Sequence, residues 1–296
     1  MQTTGRLTCS LPHVEFLAVA GRNAGDFLQR QTTQDLAALA PGDTILAAWL
    51  DARGRARALF RVLRTWDRWL LAIADQDAGA LANDLRMFVL RSDVKLAVEP
   101  EWLAIARIGD AEDWLAACAN PDRDDARTAG RREEACLAQL APELFHLYGP
   151  AARVRAIAGS IDGDSQAAIR AEIAAGIPSV PPAIAQQFTA HMLNLDTLGA
   201  VSFAKGCYPG QEITARTQNL GAVKRRAMPF RAQTDPLPAL GSSVVDAAGE
   251  PVGTVIRAVR ADTRQAVMLA VVQLDRLDMP LYLPLEGRPR LTPLHA

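Results

Sequence analysis

The chain has 296 residues, 49% of them hydrophobic, which is enough for about two domains with buried cores. Its 32 basic and 33 acidic side chains give a formal net charge of -1, so overall charge does not predict binding to nucleic acid or to an anionic membrane. The four cysteines are widely spaced and form no C-x-x-C pair, which argues against a disulfide framework and against a zinc site.

The sequence also lacks several targeting and cofactor signatures. The first twelve residues contain no apolar stretch of signal-peptide length, and no later segment approaches the roughly 20 apolar residues that cross a bilayer. No G-x-G-x-x-G, G-x-x-x-x-G-K-[ST] or H-E-x-x-H motif occurs, so dinucleotide, P-loop and zinc-protease chemistry have no sequence support. We therefore expect a cytoplasmic protein with reduced thiols, no metal site and no membrane partner.

The N-terminal part predicts a strand, a helix and a hairpin in succession. Val14 to Val19 is an apolar run that predicts a strand, and Asn23 stands where it can cap a short helix carrying Phe27 and Leu28. Two β-type runs, 44–50 and 55–64, flank a turn at 51–54 that ends on a glycine, which predicts a hairpin.

A third strand and a second helix complete this layer. Trp69 to Ala74 follows a turn at 66–68 and predicts the strand. Leu81, Leu85 and Phe88 then repeat at i, i+4 and i+7, the spacing of one helix face. Strands followed by a helix indicate an α+β domain.

The middle and the end of the chain differ from each other in residue composition and spacing. Asn120 to Glu134 is rich in charge and predicts a solvated loop. Asp164 to Ala175 has helical apolar spacing, with a stop signal at Gly176 and Pro178. After about Pro229 short apolar runs alternate with Gly, Pro and Asp, which predicts a small β-rich domain. These runs are 243–245, 252–259, 266–272 and 281–283.

The most informative stretch runs from Val201 to Glu212 and reads VSFAKGCYPGQE. Glycines at 206 and 210 let the backbone turn sharply or approach a ligand, while Lys205, Cys207 and Gln211 offer a cation, a thiol and an amide. Cations near Cys207 would favour the reactive thiolate, so it is a candidate nucleophile, redox sensor or transient metal ligand. The alternative, a small buried residue in a tight turn, is the commoner fate of a lone cysteine.

The segment from Lys205 to Arg231 carries six basic residues against a single acid, Glu212. This local charge could hold phosphates or a carboxylate tail. A solvated face at a domain junction explains the same run equally well. The cluster Lys224, Arg225 and Arg226 also leaves open direct binding to tRNA or protein.

Residues 205–212 match the signature K-G-C-[FY]-x-G-Q-E of the YgfZ family of folate-binding proteins, and Arg216 follows as it does in that family. Further blocks resemble the family in order along most of the chain: 21–36, 50–55, 176–178 and 192–203. The sequence thus resembles a YgfZ-type protein, related to the glycine-cleavage T-protein.

The resemblance implies an α+β fold in which two α+β domains form a T-protein-like ring around a central folate cavity. Residues 1–228 would form this folate-binding region and residues 229–296 a small C-terminal β-barrel. The implied cofactor is tetrahydrofolate or a one-carbon derivative. Implied partners are iron–sulfur proteins or their assembly machinery, with tRNA reached only indirectly. The implied role is to support assembly or repair of iron–sulfur enzymes, including tRNA-modifying ones.

The resemblance also assigns site residues. Cys207 would be the functional thiol at the edge of the cavity. The residues that would bind the cofactor are Asn194, Lys205, Gly206, Tyr208, Gly210, Gln211, Glu212 and Arg216.

Three departures from the family pattern bear on the reaction. Ala58 and Leu59 stand where the T-protein has a carboxylate beside the reactive folate nitrogen, which argues against the alternative of aminomethyl or other one-carbon transfer. Ala174 replaces a glutamate common in relatives. The third departure is 189–191, where His191 is either a substitute ligand donor or a structural residue beside an apolar stretch.

Overall fold

The computed structural model describes residues 6–118 and 135–294, and in these ranges it contains fifteen β-strands and six α-helices. In chain order the elements are β1 (Leu7–Ser10), β2 (Val14–Ala20), α1 (Ala24–Gln31), β3 (Thr44–Leu50), β4 (Ala56–Arg64), β5 (Trp69–Ala74), α2 (Ala78–Arg86), β6 (Lys95–Val98), β7 (Trp102–Ile108), α3 (Glu112–Cys118), β8 (Cys136–Ala141), β9 (Leu144–Pro150), α4 (Ala151–Ala158), α5 (Ser165–Ala174), α6 (Gln211–Leu220), β10 (Arg225–Gln233), β11 (Ser243–Val245), β12 (Pro251–Arg260), β13 (Gln265–Gln273), β14 (Leu281–Tyr282) and β15 (Arg290–Pro293).

The first sheet is antiparallel, with strand order β3-β4-β5-β2-β6. Helices α1 and α2 pack Leu28 and Leu81 into the same apolar core as its strands. The predicted hairpin is confirmed: β3 pairs with β4, and Gly54 in the turn between them has a φ of +72°. The predicted strands at 14–19 and 69–74 are also present.

Two details of the helix predictions are wrong. Asn23 occupies the N-cap position of α1 without capping it, because its side-chain oxygen accepts from the backbone N–H of Asp93 instead. Phe88 lies beyond the end of α2, although it still packs against the core of the first sheet. For Asn23 a tertiary contact replaced the local one that the sequence pattern suggested.

The second sheet has the order β1-β7-β9-β8, so the strand nearest the N-terminus joins strands more than 90 residues away. Helices α3 and α4 cover it, with Trp114 and Val154 buried beside Leu147. The sequence analysis did not predict these strands and helices. The loop predicted at Asn120 to Glu134 lies outside the described residues.

Helix α5 begins where the sequence predicted, with the Asp164 side chain accepting from the backbone N–H of Ala167 at 2.8 Å. The helix stops before Gly176, which has a φ of +72°. It contacts β1 and β7 of the second sheet and β10, β12 and β13 beyond it. The same helix therefore joins the second sheet to the C-terminal domain.

The C-terminal strands close into a six-stranded barrel, β10-β13-β12-β11-β14-β15. Its interior is apolar and includes Phe230, Met268 and Leu283. The predicted class, α+β followed by a small β-barrel, is confirmed. The first barrel strand begins at Arg225, and the division into domains at 228/229 stays a prediction. Among the described residues no helix is long and apolar enough to cross a membrane.

Helix α6 meets the hairpin turn of the first sheet at a very close approach. Gly210 caps its N-terminus with a φ of +78°, and a Cβ there would lie 2.6 Å from the carbonyl oxygen of Asp51 and 2.8 Å from the Cα of Gly54. Only glycine meets both requirements, the positive φ and the backbone contact. The close contact therefore fixes the end of the VSFAKGCYPGQE stretch against the hairpin.

We predict that Gly210→Ala destabilises the protein more than Gly199→Ala does. Gly199 has a similar φ of +66° but no atom within 4 Å of an added Cβ, so it reports the cost of the backbone conformation alone, about 1–2 kcal/mol. The steric overlap at Gly210 should add roughly 1–3 kcal/mol. Urea denaturation of both variants measures the difference, and equal losses would contradict the contact.

Candidate functional site

A small cavity lies where the first sheet, the second sheet and the barrel meet. Its volume is about 60 Å³, room for a few water molecules or one small chemical group. Strands of the first sheet supply an apolar wall that includes Leu59. The polar lining residues are Arg61, His146, Tyr148, Glu172, Ser179 and Arg257.

Glu172 is the centre of the charged contacts around this cavity. This residue of α5 is 4% exposed. Its Oε2 lies 2.5 Å from Nη1 of Arg257 on β12, and its Oε1 lies 3.0 Å from Nε2 of His146 on β9. Burial by itself raises the pKa of Glu172, but Arg257 and His146 outweigh burial and hold that pKa well below its usual range. The carboxylate is therefore ionised and joins the second sheet to the barrel.

Two further contacts extend this cluster. Nδ1 of His146 is 3.0 Å from the hydroxyl of Tyr148, whose pKa burial raises to about 12. Nε of Arg257 is 3.8 Å from Oδ2 of Asp75, which follows β5 of the first sheet. All three parts of the molecule thus contribute a polar side chain to one buried cluster.

The predicted site residue Lys205 is part of the interior. It is 8% exposed, and its ammonium donates to the backbone carbonyls of Gln29, Thr32 and Gln34 at 2.5–2.8 Å. Burial lowers the pKa of Lys205 to about 8, against the opposing charge of Asp35. Its three hydrogen bonds tie the VSFAKGCYPGQE stretch to the end of α1.

Cys207 is exposed, between two buried anchors. Lys205 precedes it, and Tyr208, 7% exposed, follows it in the same core cluster as Leu59. Gly206 is exposed, and Gln211, the first residue of α6, donates to the carbonyl of Lys205 at 3.3 Å. The backbone on both sides of the thiol is held while the thiol itself faces solvent.

The remaining predicted residues make contacts of their own. Glu212 and Arg216 form an exposed ion pair along α6 at 3.1 Å. Asn194 donates to the carbonyl of Ala227 at the start of the barrel and accepts from Arg226. Arg226 also holds Asp196 at 2.8 and 2.9 Å, an ion pair that keeps the pKa of Asp196 low despite its burial.

His191, the possible substitute donor, is 2% exposed, and its Nε2 lies 3.2 Å from the side-chain oxygen of Gln218. It does not line the cavity. Of the basic cluster at 224–226, Lys224 and Arg225 are exposed, whereas Arg226 is occupied by Asp196. The three basic residues therefore do not form one free surface.

The predicted site residues and the polar cavity are thus two separate regions of the structure. None of the predicted site residues lines the cavity. Sequence reasoning missed Glu172, His146 and Arg257, which are far apart along the chain. One signal was available: Arg257 is a lone charge inside the apolar run 252–259, and a charge in such a run is a candidate for a buried pair.

Comparison with known proteins agrees with this architecture. A family model for the C-terminal β-barrel domain of CAF17 matches residues 224–294. An uncharacterized protein of Haemophilus influenzae is 28% identical over 258 residues, which cover 86% of this chain and 84% of the relative. The tRNA-modifying protein YgfZ of Shigella sonnei is 27% identical over 270 residues, which cover 87% of this chain and 82% of the relative.

Among solved structures, the glycine cleavage system aminomethyltransferase T of Bartonella henselae superposes with a TM-score of 0.69. The match covers 98% of this chain and 85% of that protein at 17% sequence identity. The predicted T-protein-like fold is thereby confirmed.

We predict that Lys205→Met lowers the free energy of unfolding by about 2–6 kcal/mol, because it leaves two buried carbonyls, those of Thr32 and Gln34, without their donor at roughly 1–3 kcal/mol each. Hydrogen exchange should quicken at residues 203–210. The matched control is Lys95→Met on the exposed edge strand β6, expected to change stability by less than about 0.5 kcal/mol. Urea denaturation and exchange mass spectrometry measure both. A stable Lys205→Met variant with unchanged exchange would contradict the anchoring role.

Proposed function

We propose that this chain, which belongs to the YgfZ/CAF17 family and has the fold of the glycine cleavage T-protein, binds tetrahydrofolate or a one-carbon derivative and thereby supports iron–sulfur cluster enzymes. The clients would include enzymes that modify tRNA, since curated relatives carry the name tRNA-modifying protein. Iron–sulfur proteins or their assembly machinery would be its partners, and tRNA would be reached only through them.

The observation that carries the folate proposal is the polar cavity between the two sheets and the barrel. Arg257 and Ser179 line it with side-chain atoms that have no hydrogen-bond partner among the described residues, and buried polar atoms normally have one. These donors fit the oxygen-bearing end of a folate. The volume of about 60 Å³ is below the roughly 300–1,000 Å³ of common ligand sites, so one end enters or the lining moves.

The alternative of one-carbon transfer is less well supported. The resemblance to the T-protein leads one to expect a carboxylate at the position of Ala58 or Leu59, and Leu59 instead forms part of the apolar wall of the cavity. Glu172 is the only carboxylate among the described lining residues, and both of its oxygens already face cationic or imidazole groups. A transferase would need a free carboxylate there. Binding without rapid turnover therefore fits the cavity better.

Cys207 supports the second half of the proposal. An exposed thiol on a backbone held by Lys205 and Tyr208 is accessible to a protein partner. Exposure is also what thiol chemistry requires, whereas buried cysteines are inert. Direct RNA binding by the basic cluster is less favoured, since Arg226 is already paired.

We predict saturable binding of tetrahydrofolate to the purified chain, measured by anaerobic calorimetry. Binding to the folded state should also raise the thermal midpoint at excess ligand, since it stabilises only that state. If no heat of binding and no thermal shift are found, the folate proposal is wrong, and a partner-docking role on a T-protein fold replaces it.

We predict that Cys207→Ala folds with unchanged stability but does not restore iron–sulfur enzyme activity in cells lacking the protein. The thiol is exposed, so its removal costs little packing. Cys118→Ala, at a half-buried thiol on α3, is the control that should restore activity. The readouts are thermal unfolding of the variants and the activity of a tRNA-modifying iron–sulfur enzyme in extracts. Full restoration by Cys207→Ala would remove the thiol from the mechanism.

A further inference from the structure

One edge of the Arg257 guanidinium in this cavity has no hydrogen-bond partner among the described residues. Arg257 is 5% exposed, and its Nη1 is occupied by Glu172 at 2.5 Å and by the carbonyl of Ile177 at 3.5 Å. Nε and Nη2 have no hydrogen-bond partner among the described residues. The nearest acid on that side, Asp75, stands 3.8 Å from Nε, beyond hydrogen-bonding distance.

Nε and Nη2 lie on one edge of the planar guanidinium and donate in parallel. This fork is the geometry that binds a carboxylate or an oxo oxygen with two hydrogen bonds. Ser179, 3% exposed and also lining the cavity, has a hydroxyl with no partner among the described residues. A buried donor left unpaired costs free energy. Arg257 and Ser179 therefore bring unpaired polar atoms into the same small space.

The charges of the lining point to the same kind of ligand. Arg61 and Arg257 bring two positive charges, and Glu172 brings one negative charge. Both Glu172 oxygens are engaged, by Arg257 and by His146. The unpaired nitrogens Nε and Nη2 of Arg257 are donors, so what the site lacks is an acceptor for them. A ligand that brings acceptor oxygens satisfies this arrangement, whereas a ligand that brings amino groups does not.

We propose that Arg257, aided by Ser179, is the specificity-determining residue of the cavity and binds an acceptor oxygen, oxo or carboxylate, of the ligand. The inference rests on the proposed folate function and adds which chemistry the site recognises. Tetrahydrofolate carries such oxygens at two places, the 4-oxo group of its ring and the carboxylates of its glutamate. Both share the acceptor chemistry, and the test separates them.

Calorimetry on the full chain would use three probes: tetrahydrofolate, its 4-amino-4-deoxy analogue and tetrahydropteroyl amide, in which a primary benzamide replaces the glutamate and no carboxylate remains. If Arg257 binds the ring oxygen, the 4-amino analogue binds at least about tenfold more weakly, because a donor replaces the acceptor. If it binds a carboxylate of the tail, tetrahydropteroyl amide shows that loss instead. Either pattern supports the proposal and identifies the group. Equal affinities for all three probes overturn it.

The variants test whether Arg257 is responsible. Arg257→Lys keeps a positive charge beside Glu172 but removes the fork, so the discrimination seen in the wild type should fall to within about threefold. Arg260→Lys is the matched control, because it lies on the same strand, pairs with Asp235 and does not line the cavity. It should retain full discrimination. If Arg257→Lys discriminates as well as the wild type, the assignment is wrong.

Folding and binding failures remain distinguishable. Thermal unfolding shows whether Arg257→Lys is folded. Ser179→Ala leaves the Glu172–Arg257 pair intact and should by itself weaken binding of the preferred probe by about threefold to tenfold. Unchanged binding by Ser179→Ala and by a folded Arg257→Lys overturns the inference while leaving the folate proposal standing. A wild-type chain that binds none of the probes overturns both.

Discussion

The arrangement of the molecule depends on how one buried carboxylate is neutralised. An ionised group in a protein interior is costly unless it is paired, and removing a single partner from such a pair typically costs about 3–5 kcal/mol. Glu172 is neutralised from two directions, by Arg257 of the barrel and by His146 of the second sheet. The carboxylate can be satisfied only when these parts stand in their observed positions. This requirement acts on orientation, which apolar contacts alone specify weakly.

Apolar packing supplies the rest of the connection. One core cluster contains Leu59 of the first sheet, Ile173 of α5, Tyr208 beside the exposed thiol, and Ile256 of the barrel. The wall of the cavity and the anchor of the Cys207 segment thus belong to the same packed interior. Packed interiors transmit displacement rather than absorbing it. A ligand that moves Leu59 would therefore press on the packing around Tyr208, which gives folate binding a physical route to the thiol.

Local patterns predicted the local structure well. The hairpin at 44–64 followed from two β-type runs around a glycine turn, and α5 followed from its Asp164 cap and its Gly176 stop. The barrel followed from short runs separated by turn residues. In the second sheet, β1 pairs with a segment about a hundred residues away, and no local pattern encodes such a partner. Asn23 shows the same limit, since its side chain bonds to a distant backbone N–H. The hairpin β8-β9 of the second sheet is local, and the sequence analysis overlooked it.

The sequence predicted some residues of the candidate site, and others were found only in the structure. The motif led to Lys205 and Cys207. In the structure Lys205 holds the backbone through hydrogen bonds, whereas Cys207 is exposed to solvent. His146, Glu172 and Arg257 come from three separate stretches, each unremarkable by itself, so only the folded chain brings them together.

Arg257 is synthesised about 85 residues after Glu172, roughly 4–17 s later at usual rates of translation. Throughout that interval Glu172 lacks its arginine partner, and of its two partners only His146 has been made. The two sheets and the barrel can therefore pack together completely only after most of the polypeptide has been synthesised.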